Sequence, residues 1–186
     1  MNAFCYVDSP LGRLMLTSDG TALTGLYMNL YRNKPTKLPE LDGDWVQNET
    51  IDPLPAATRQ LQEYFAGKRR EFDLPLRMAG TEFQQRVWRE LAQIPFGETR
   101  SYGQLAKRLD NPNGSRAVGL ANGRNPIAII VPCHRVIGAD GSLTGFGGGI
   151  DRKEWLLTHE GHPTTGELPL GGQPSLGGAL KSGAAA

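Results

Sequence analysis

The chain has 186 residues, of which 39% are hydrophobic and 21% are charged, and its formal net charge is +1. This composition is typical of a globular protein with one large domain or two small ones, and it excludes a disordered, fibrous or disulfide-stapled chain. No apolar run approaches the length of a membrane span, and the first residues lack the pattern of a signal peptide, so we expect a soluble intracellular protein. Cys5 and Cys133 are far apart in the sequence and are interpreted as free thiols.

The amino-terminal half predicts a small sheet followed by one helix. The first thirty residues alternate apolar and polar positions between turn signals, which predicts a short antiparallel meander. The segment 31–52 is rich in proline, glycine and polar residues and predicts an irregular loop. A helix should follow, with Asp52 as N-cap and Pro53 in its first position, and should end at Gly67. The stretch 68–80 is interpreted as an extended linker at a domain boundary.

Three helices are predicted after this boundary. Capping boxes begin two of them, at Thr81 and at Ser101, because each residue is followed three positions later by glutamine. Ser115 is expected to cap a third, short helix that ends by Gly123. Since a turn with proline and glycine separates the second helix from the third, the pair is predicted to form a helix-turn-helix.

The remainder of the chain contains a buried run, a glycine-rich loop and a last helix. The apolar, mostly β-branched run 127–131 should be buried, and a glycine-rich loop follows at 145–149. Asp151 is expected to cap the last helix, since glutamate lies three residues further on. From 163 to 186 glycine and proline are frequent and charge is scarce, so this segment is interpreted as a disordered tail.

Cys133 is the candidate nucleophile. It follows the buried run and a proline, and His134 follows it directly. A positioned thiol beside a base suits nucleophilic chemistry because the thiolate is the reactive form, yet an isolated Cys-His pair also fits a buried, inert cysteine. In an extended backbone His134 would point away from Cys133, so assistance would need a turn or a water molecule. Glu160 is a candidate to orient His134, whereas Cys5 has no such neighbours.

Basic residues are concentrated between Arg100 and Arg135, where six bases oppose the single acid Asp110. Such a run permits an acidic partner such as DNA. A solvated helix face explains it equally well.

A metal site is disfavoured by spacing. The candidate zinc ligands match no standard ligand pattern, so no metal is expected at Cys133, His134, His159 or His162. The glycine-rich loop lacks the lysine of a phosphate-binding loop. Its glycines either let the backbone approach a ligand closely or form a surface loop.

The motifs together resemble those of a known family. The segment from Ile130 to Gly138, IVPCHRVIG, resembles the active-site signature of the O6-alkylguanine-DNA alkyltransferases, also called methylated-DNA-protein-cysteine methyltransferases. Other segments resemble that family in order and spacing: Phe96-Gly97-Glu98, Ser101 to Ala106, Ser115 to Gly119, Gly123 to Pro126 and Lys153 to Gly161. The resemblance covers about residues 81–162, and the amino-terminal half agrees only in its general pattern.

The resemblance implies a fold and a function. The fold is α+β, with a small ribonuclease H-like domain at 1–75, a mostly helical domain with a winged-helix-like helix-turn-helix at 76–162, and the tail at 163–186. The function is irreversible, stoichiometric transfer of an alkyl group from guanine O6, or thymine O4, in DNA to a cysteine, without metal or cofactor. The resemblance further implies a monomer that binds double-stranded DNA through the minor groove, where binding can be cooperative. Its location would be cytoplasmic in a bacterium or archaeon and nuclear in a eukaryote.

The resemblance also assigns catalytic roles to individual residues. Cys133 accepts the alkyl group, His134 deprotonates it through a water molecule, and Glu160 orients His134. Asn125 braces the turn, and the Tyr102 hydroxyl donates to guanine N3 as charge grows on the leaving base.

Further residues are implied in binding. The substrate would meet the carbonyl groups of Cys133 and Val136 and the loop residues Thr144, Phe146 and Gly147. DNA would meet the helix that begins near Ser115, with Arg116 filling the space left by an extruded guanine and Tyr102 crowding its phosphate. The DNA-binding set is Ser115, Arg116, Ala117, Arg124 and Tyr102.

Two other functions remain as alternatives. A cysteine hydrolase could use Cys133, His134 and Glu160 and would turn over repeatedly. A catalytically inactive module could sense alkylated bases through the same helix-turn-helix. Inactive relatives of that kind lack the cysteine, and Cys133 is present.

Overall fold

The computed structural model describes residues 1–28, 41 and 44–162, which form an α+β fold. The first half contains β1 (Asn2–Val7), β2 (Leu14–Ser18), β3 (Leu23–Met28), β4 (Trp45–Gln47) and α1 (Leu54–Phe65). The second half contains α2 (Glu82–Ala92), β5 (Arg100–Ser101), α3 (Tyr102–Arg108), α4 (Ser115–Gly123), β6 (Val136–Ile137) and α5 (Ile150–His159). A single 3₁₀ turn, Cys133–Arg135, precedes β6. The predicted tail at 163–186 lies outside the described residues.

The four strands of the first half form one sheet in the order β3-β2-β1-β4. The neighbours β1, β2 and β3 are antiparallel, which confirms the predicted meander over the described residues. The strand β4 pairs in parallel with β1, so the prediction of an irregular loop is wrong at Trp45–Gln47. Because β4 has only three residues, none of them buried, it carries no alternating pattern that a sequence could reveal. Residues 29–40, 42 and 43 lie outside the described part.

Helix α1 packs on β1 and β2. Asp52 is not its N-cap, because the Leu54 N–H already bonds to the Ile51 carbonyl, and Asp52 contributes only its own carbonyl, which accepts from the Ser18 hydroxyl at 2.6 Å. The N-cap is Pro53. The buried face follows helical spacing and stabilises the first half through Leu54, Ala57, Leu61 and Tyr64.

The second half is organised around α2, α3 and α4, which pack on one another. The predicted capping boxes at Thr81 and Ser101 are both confirmed, with side-chain and backbone bonds in both directions. The Trp88 indole on α2 donates to the Ala121 carbonyl on α4 at 2.9 Å and ties the two helices together. Helices α3 and α4 with their intervening turn form the predicted helix-turn-helix.

Two other predicted N-caps are wrong. Ser115 is the first residue of α4, and Gly114 is the N-cap, where an added Cβ would lie 2.2 Å from the Asn111 side chain. Asp151 lies within the first turn of α5, whose N-cap is Gly149 with a φ of 94°. Serine and aspartate are favourable in the first turn as well as at the cap, so composition alone does not separate these positions.

The edge of β3 joins the two halves of the chain. The Leu23 N–H donates to the Pro75 carbonyl and the Leu26 N–H donates to the Pro126 carbonyl, both at 2.8 Å. The run 127–131, which follows Pro126, is buried as expected except at the half-buried Ala128. This attachment holds the segment that precedes Cys133 against the first sheet.

Within the described residues, no helix is long and apolar enough to cross a bilayer.

Candidate functional site

A cavity of about 560 Å³ lies beside Cys133. Strand β3 forms one wall, and the end of α4 with the segment after it forms another. The glycine-rich loop closes a third side, and an added Cβ at Gly148 would lie 2.5 Å from the Met28 sulfur, so only glycine allows this close approach. The lining residues are Leu26, Tyr27, Met28, Asn122, Gly123, Arg124, Asn125, Pro126, Ala128, Cys133, Phe146, Gly147 and Gly148.

Cys133 is buried at the inner end of this arrangement and begins the 3₁₀ turn, rather than lying in extended backbone. Burial raises the pKa of the Cys133 thiol, so the resting sulfur is protonated. A hydrogen bond with the Asn125 side chain and the positive charge of Lys153 act in the opposite direction. The thiol is therefore inert until a base removes its proton, and Asn125 and Lys153 offset only part of the cost of burying the thiolate.

His134 and Glu160 form a buried pair. His134 Nε2 lies 2.9 Å from Glu160 Oε1, and both side chains are fully buried. Because a carboxylate only accepts, the neutral imidazole must carry its proton on Nε2, which leaves Nδ1 as an acceptor. Nδ1 has no hydrogen-bond partner within the part of the chain that the structure describes. Burial lowers the pKa of His134, so the ring is neutral and able to accept a proton at neutral pH.

Arg135 completes the charge balance of Glu160. Its Nε donates to Oε2 at 2.7 Å and its Nη2 donates to Oε1 at 2.9 Å, while Nη1 donates to the Ile94 carbonyl at 2.6 Å. Burial alone would raise the pKa of Glu160, but the hydrogen bonds from His134 and Arg135 outweigh it and hold that pKa far below its usual range. Arg135 is thus a buried partner of a carboxylate and is unavailable to a surface ligand.

Asn125 fixes the segment that leads to Cys133. Its Nδ2 donates to the Val131 carbonyl at 2.8 Å, and its Oδ1 accepts from the Ile127 N–H at 3.0 Å. These two bonds span the buried run, where Ile129 adopts a φ of 70°. The geometry agrees with the bracing role that the resemblance implies.

Lys153 on α5 is fully buried beneath the loop that faces the cavity. Its ammonium donates to the Thr144 carbonyl at 2.6 Å and also to the Val136 carbonyl. Burial lowers the pKa of Lys153 to about 8. The lysine therefore links the strand after Cys133 to the glycine-rich loop and places a positive charge near the thiol.

Tyr102 begins α3 and reaches the same loop. Its hydroxyl donates to the Thr144 carbonyl at 3.0 Å, and a Cβ at Gly145 would lie 2.6 Å from that hydroxyl oxygen. Burial raises the pKa of Tyr102, so the hydroxyl keeps its proton and acts as a donor.

The residues predicted to bind substrate are only partly brought together. Phe146 and Gly147 line the cavity, but Val136 and Thr144 do not. The Val136 carbonyl is occupied by Lys153, and the Cys133 carbonyl accepts from both the Val136 N–H and Asn122 Nδ2. Both carbonyl groups are therefore already hydrogen-bonded within the protein, and a ligand would have to share or replace these bonds.

Of the residues predicted to bind DNA, Ser115, Arg116 and Ala117 lie on α4, Arg124 follows its last residue, and Tyr102 begins α3. Arg116 and Ala117 are exposed on α4, and Leu120, 63% exposed, continues their face one turn further on. Ser115 is half-buried, and Arg124 is exposed at the carboxyl end of α4, where it also lines the cavity.

The basic run is less available than its sequence suggests. Three of its six members are in ion pairs: Arg100 with Glu98, Arg108 with Glu90 and Arg135 with Glu160. The exposed remainder, with no ion pair in the described ranges, consists of Lys107, Arg116 and Arg124.

No group of three metal-binding side chains occurs within residues 1–28, 41 and 44–162. His159 is one of the four residues considered as zinc ligands. Its Nε2 lies 2.8 Å from the Tyr64 carbonyl oxygen, and its ring stacks on Trp155.

Comparison with known proteins matches both halves of the chain to one family. The model described as "6-O-methylguanine DNA methyltransferase, ribonuclease-like domain" matches residues 4–78, and the model described as "6-O-methylguanine DNA methyltransferase, DNA binding domain" matches residues 82–162. The chain belongs to the 6-O-methylguanine DNA methyltransferase family.

Several family members are similar over nearly their whole length. The methylated-DNA–protein-cysteine methyltransferase of Methanosarcina acetivorans is 52% identical over 158 residues, covering 85% of this chain and 97% of that protein. The crystal structure of the Mycobacterium tuberculosis O6-methylguanine methyltransferase is 51% identical, with a TM-score of 0.77 over 86% of this chain and 93% of the other. The structure of Mycobacterium tuberculosis OGT in complex with DNA is 50% identical, with a TM-score of 0.75 over 85% and 92%.

Reasoning from the sequence missed several groups that the structure places at the site. It gave no role to the β3 wall of the cavity or to Asn122. It also gave none to Lys153 or to Tyr64, whose hydroxyl donates to Glu160 Oε1. Lys153 lies within a motif that carries the family resemblance, which was the available signal. Tyr64 occupies a helical core position and carries no local signal.

Proposed function

We propose that the protein repairs DNA by transferring an alkyl group from guanine O6 to Cys133 Sγ, once per molecule. The observation that carries this proposal is the buried His134–Glu160 contact, because it leaves Nδ1 as the acceptor on the residue that follows Cys133, whose buried thiol lines a cavity of about 560 Å³.

The chemistry needs a base, a nucleophile and a stabilised leaving group. The Cys133 proton passes through a water molecule to His134 Nδ1, and the thiolate attacks the alkyl carbon. The S–C bond forms as the C–O bond breaks, and the electron pair of that bond goes to the guanine, which then takes up a proton. Because the thioether has no route back to a thiol in this sequence of steps, the molecule is spent after one reaction.

Two donors lower the energy of the charged states. The Lys153 ammonium stabilises the Cys133 thiolate, since the two groups interact favourably across the buried end of the site. The Tyr102 hydroxyl exchanges the Thr144 carbonyl for guanine N3 when the base is bound, and it donates as negative charge grows there.

The exposed face of α4 binds the DNA in this proposal, through the minor groove. Its Arg116, Ala117 and Leu120 form a small, mixed surface that fits a groove and a base step better than it fits phosphates alone. Arg116 occupies the stack position of the extruded base, and Arg124 lies where that base enters the cavity. We also propose that the boundary between the two domains lies between residues 75 and 76, so that the domains span 1–75 and 76–162.

Intact mass spectrometry tests the function. After mixing with duplex DNA that contains O6-methylguanine, the protein should gain one methyl group and peptide mapping should find it on Cys133. A hydrolase would release product repeatedly without gaining mass, and a sensing module would bind without any change. Either result would reject the proposal.

Arg116→Ala should slow transfer from duplex DNA about tenfold or more but leave transfer from the free alkylated base unchanged. A side chain that fills the stack contributes only where a stack exists, and tenfold corresponds to about 1.4 kcal/mol of barrier. Rates on both substrates measure this, with Arg59→Ala, an exposed arginine of α1, as matched control. By contrast, Tyr102→Phe should slow both substrates, because its hydroxyl acts on the base. Equal losses on both substrates for Arg116→Ala would show that this arginine is structural.

Binding to DNA should weaken with salt to a limited degree and should not depend on metal. Three exposed bases in the 100–135 segment, each releasing about 0.9 counterions, predict a slope of about −3 for log affinity against log salt. Fluorescence anisotropy over a salt series measures the slope, and preincubation with a chelator should leave the transfer rate unchanged. A slope near −5 would mean that the paired arginines open on binding.

A further inference from the structure

The carboxylate of Glu160 receives a hydrogen bond from the first half of the chain. The Tyr64 hydroxyl, on α1, donates to Glu160 Oε1 at 2.7 Å. The same oxygen accepts from His134 Nε2 and from Arg135 Nη2, each at 2.9 Å. Three donors thus converge on one oxygen atom, and only one of them comes from α1.

The Tyr64 ring is held in place by aromatic neighbours. Its centroid lies 5.3 Å from that of Phe65, 5.4 Å from Phe72, 6.2 Å from Phe96 and 5.0 Å from His159. His159, which stacks on Trp155, also lies 2.8 Å from the Tyr64 carbonyl through its Nε2, so α5 contacts this residue through both backbone and ring. Such packing fixes the direction of the hydroxyl, because rotation of a ring enclosed on several sides is costly.

The hydroxyl acts only as a donor at this position. Burial and the adjacent carboxylate raise the pKa of Tyr64 far above its usual value, so the phenol stays protonated at all working pH values. Glu160 in turn stays ionised. The Tyr64–Glu160 bond is therefore a constant charge-assisted bond, of the stronger class.

We propose that Tyr64 is a positioning residue for alkyl transfer, which holds Glu160 Oε1 and limits how strongly that oxygen attracts the proton of His134. The first half of the chain thereby contributes to the reaction at Cys133 through Glu160 and His134. This inference rests on the proposed function, in which His134 must be neutral to accept the thiol proton.

The direction of the effect follows from competition among the three donors. Removal of one donor leaves Oε1 with more negative charge for the remaining two, so the protonated form of His134 is stabilised and its pKa rises. A smaller fraction of His134 is then neutral at a given acidic pH. Within the described residues, the Glu160 carboxylate contacts His134 and Arg135 from the 3₁₀ turn and Tyr64 from α1. From α5 itself, the Lys153 charge acts on His134, and His159 contacts Tyr64.

The test is the pH dependence of transfer by the full chain carrying Tyr64→Phe. This variant keeps the ring in its cluster and removes only the hydroxyl. With the free alkylated base as substrate, the acidic limb of the rate profile should move to higher pH by about half a unit or more, and the rate near its foot should fall about threefold or more. Tyr6→Phe makes the same chemical change on the outer face of the first sheet and should leave the profile unchanged.

A second substitution keeps the Tyr64 hydroxyl in place and changes only its strength as a donor. Replacing Tyr64 by 3-fluorotyrosine acidifies the phenol and makes its hydroxyl a stronger donor, so the acidic limb should move to lower pH. Opposite shifts from the two changes support the positioning role. Identical profiles in both variants and the wild type, or a uniform loss of rate at every pH, would overturn it.

One measurement separates this inference from the proposed function. The pKa of His134, followed by NMR of the imidazole in the resting protein, should rise in Tyr64→Phe whether or not the protein accepts alkyl groups. If the wild type gains no mass from alkylated DNA while this pKa still rises, the proposed function fails and the link between Tyr64, Glu160 and His134 stands. An unchanged pKa of His134 rejects the link.

Discussion

Cys133→Ala is expected to abolish alkyl transfer from O6-methylguanine DNA and to leave duplex binding within about twofold of the wild type. In the proposed mechanism the sulfur is the acceptor, and Cys133 is the one cysteine among the residues that line the cavity, whereas the exposed face of α4 does not depend on it. Intact mass and transfer of labelled methyl groups measure the first effect, and fluorescence anisotropy measures the second.

The matched control is Cys5→Ala, which removes the other buried thiol. Cys5 lies in β1 with its sulfur 4.0 Å from the Thr58 hydroxyl, its neighbours in the chain are Phe4 and Tyr6 rather than a histidine, and burial raises its pKa. This variant should still accept one methyl group per molecule. Methylation that persists in Cys133→Ala, or that disappears in Cys5→Ala while the protein remains folded, would place the acceptor elsewhere.

Glu160→Gln should be the most destabilising single substitution at the site and should slow transfer about a hundredfold. It leaves the buried Arg135 guanidinium without a countercharge, which costs about 3 kcal/mol or more of the free energy of unfolding. It also replaces a carboxylate, which only accepts, by an amide that can accept or donate, so the tautomer of His134 is no longer fixed. Urea unfolding and single-turnover kinetics measure the two effects.

The loss of stability should depend on pH. The folded-state pKa of Glu160 is lowered relative to its unfolded value of about 4.3, so its contribution is fully present above that value and is lost as pH falls toward the folded pKa. The difference in unfolding free energy between wild type and Glu160→Gln should therefore narrow below about pH 5. Glu63→Gln is a suitable control, because Glu63 pairs with Arg69 near the surface of α1 and should change stability by about 1 kcal/mol or less at any pH. A constant difference from neutral to acidic pH would mean that Glu160 is not the titrating group.

Local patterns predicted the second half of the chain better than the first. The capping boxes at Thr81 and Ser101 specify their helices through bonds between residues three apart, so the sequence contains all that is needed. The strand β4 was missed because its existence depends on pairing with β1, a partner more than forty residues away, and not on its own three residues. Arg135 was counted among the surface bases because nothing beside it in the sequence indicates that Glu160 will face it.

In the candidate site too, local sequence patterns reveal some residues and miss those that act through distant contacts. Cys133 and His134 are adjacent and can be singled out from the sequence, and Glu160 is a candidate partner of His134 to which the resemblance then assigns the orienting role. The supporting groups Lys153 and Tyr64 could not be recognised by local pattern, since each acts through contacts made in three dimensions: one with two carbonyl groups, the other with a carboxylate 96 residues away. A buried tyrosine at helical spacing, such as Tyr64, looks the same in the sequence whether it only fills the core or also supports the site.

The position of Glu160 at the end of α5 has a consequence for protein synthesis. While the chain emerges from the ribosome, Cys133 and His134 are exposed before α5 exists, and without Glu160 no carboxylate fixes the imidazole. During that interval His134 has no carboxylate partner that fixes its tautomer, so the proton relay proposed for Cys133 cannot form. In the proposed mechanism the chain therefore becomes able to accept an alkyl group only after α5 has been synthesised and has folded against the 3₁₀ turn.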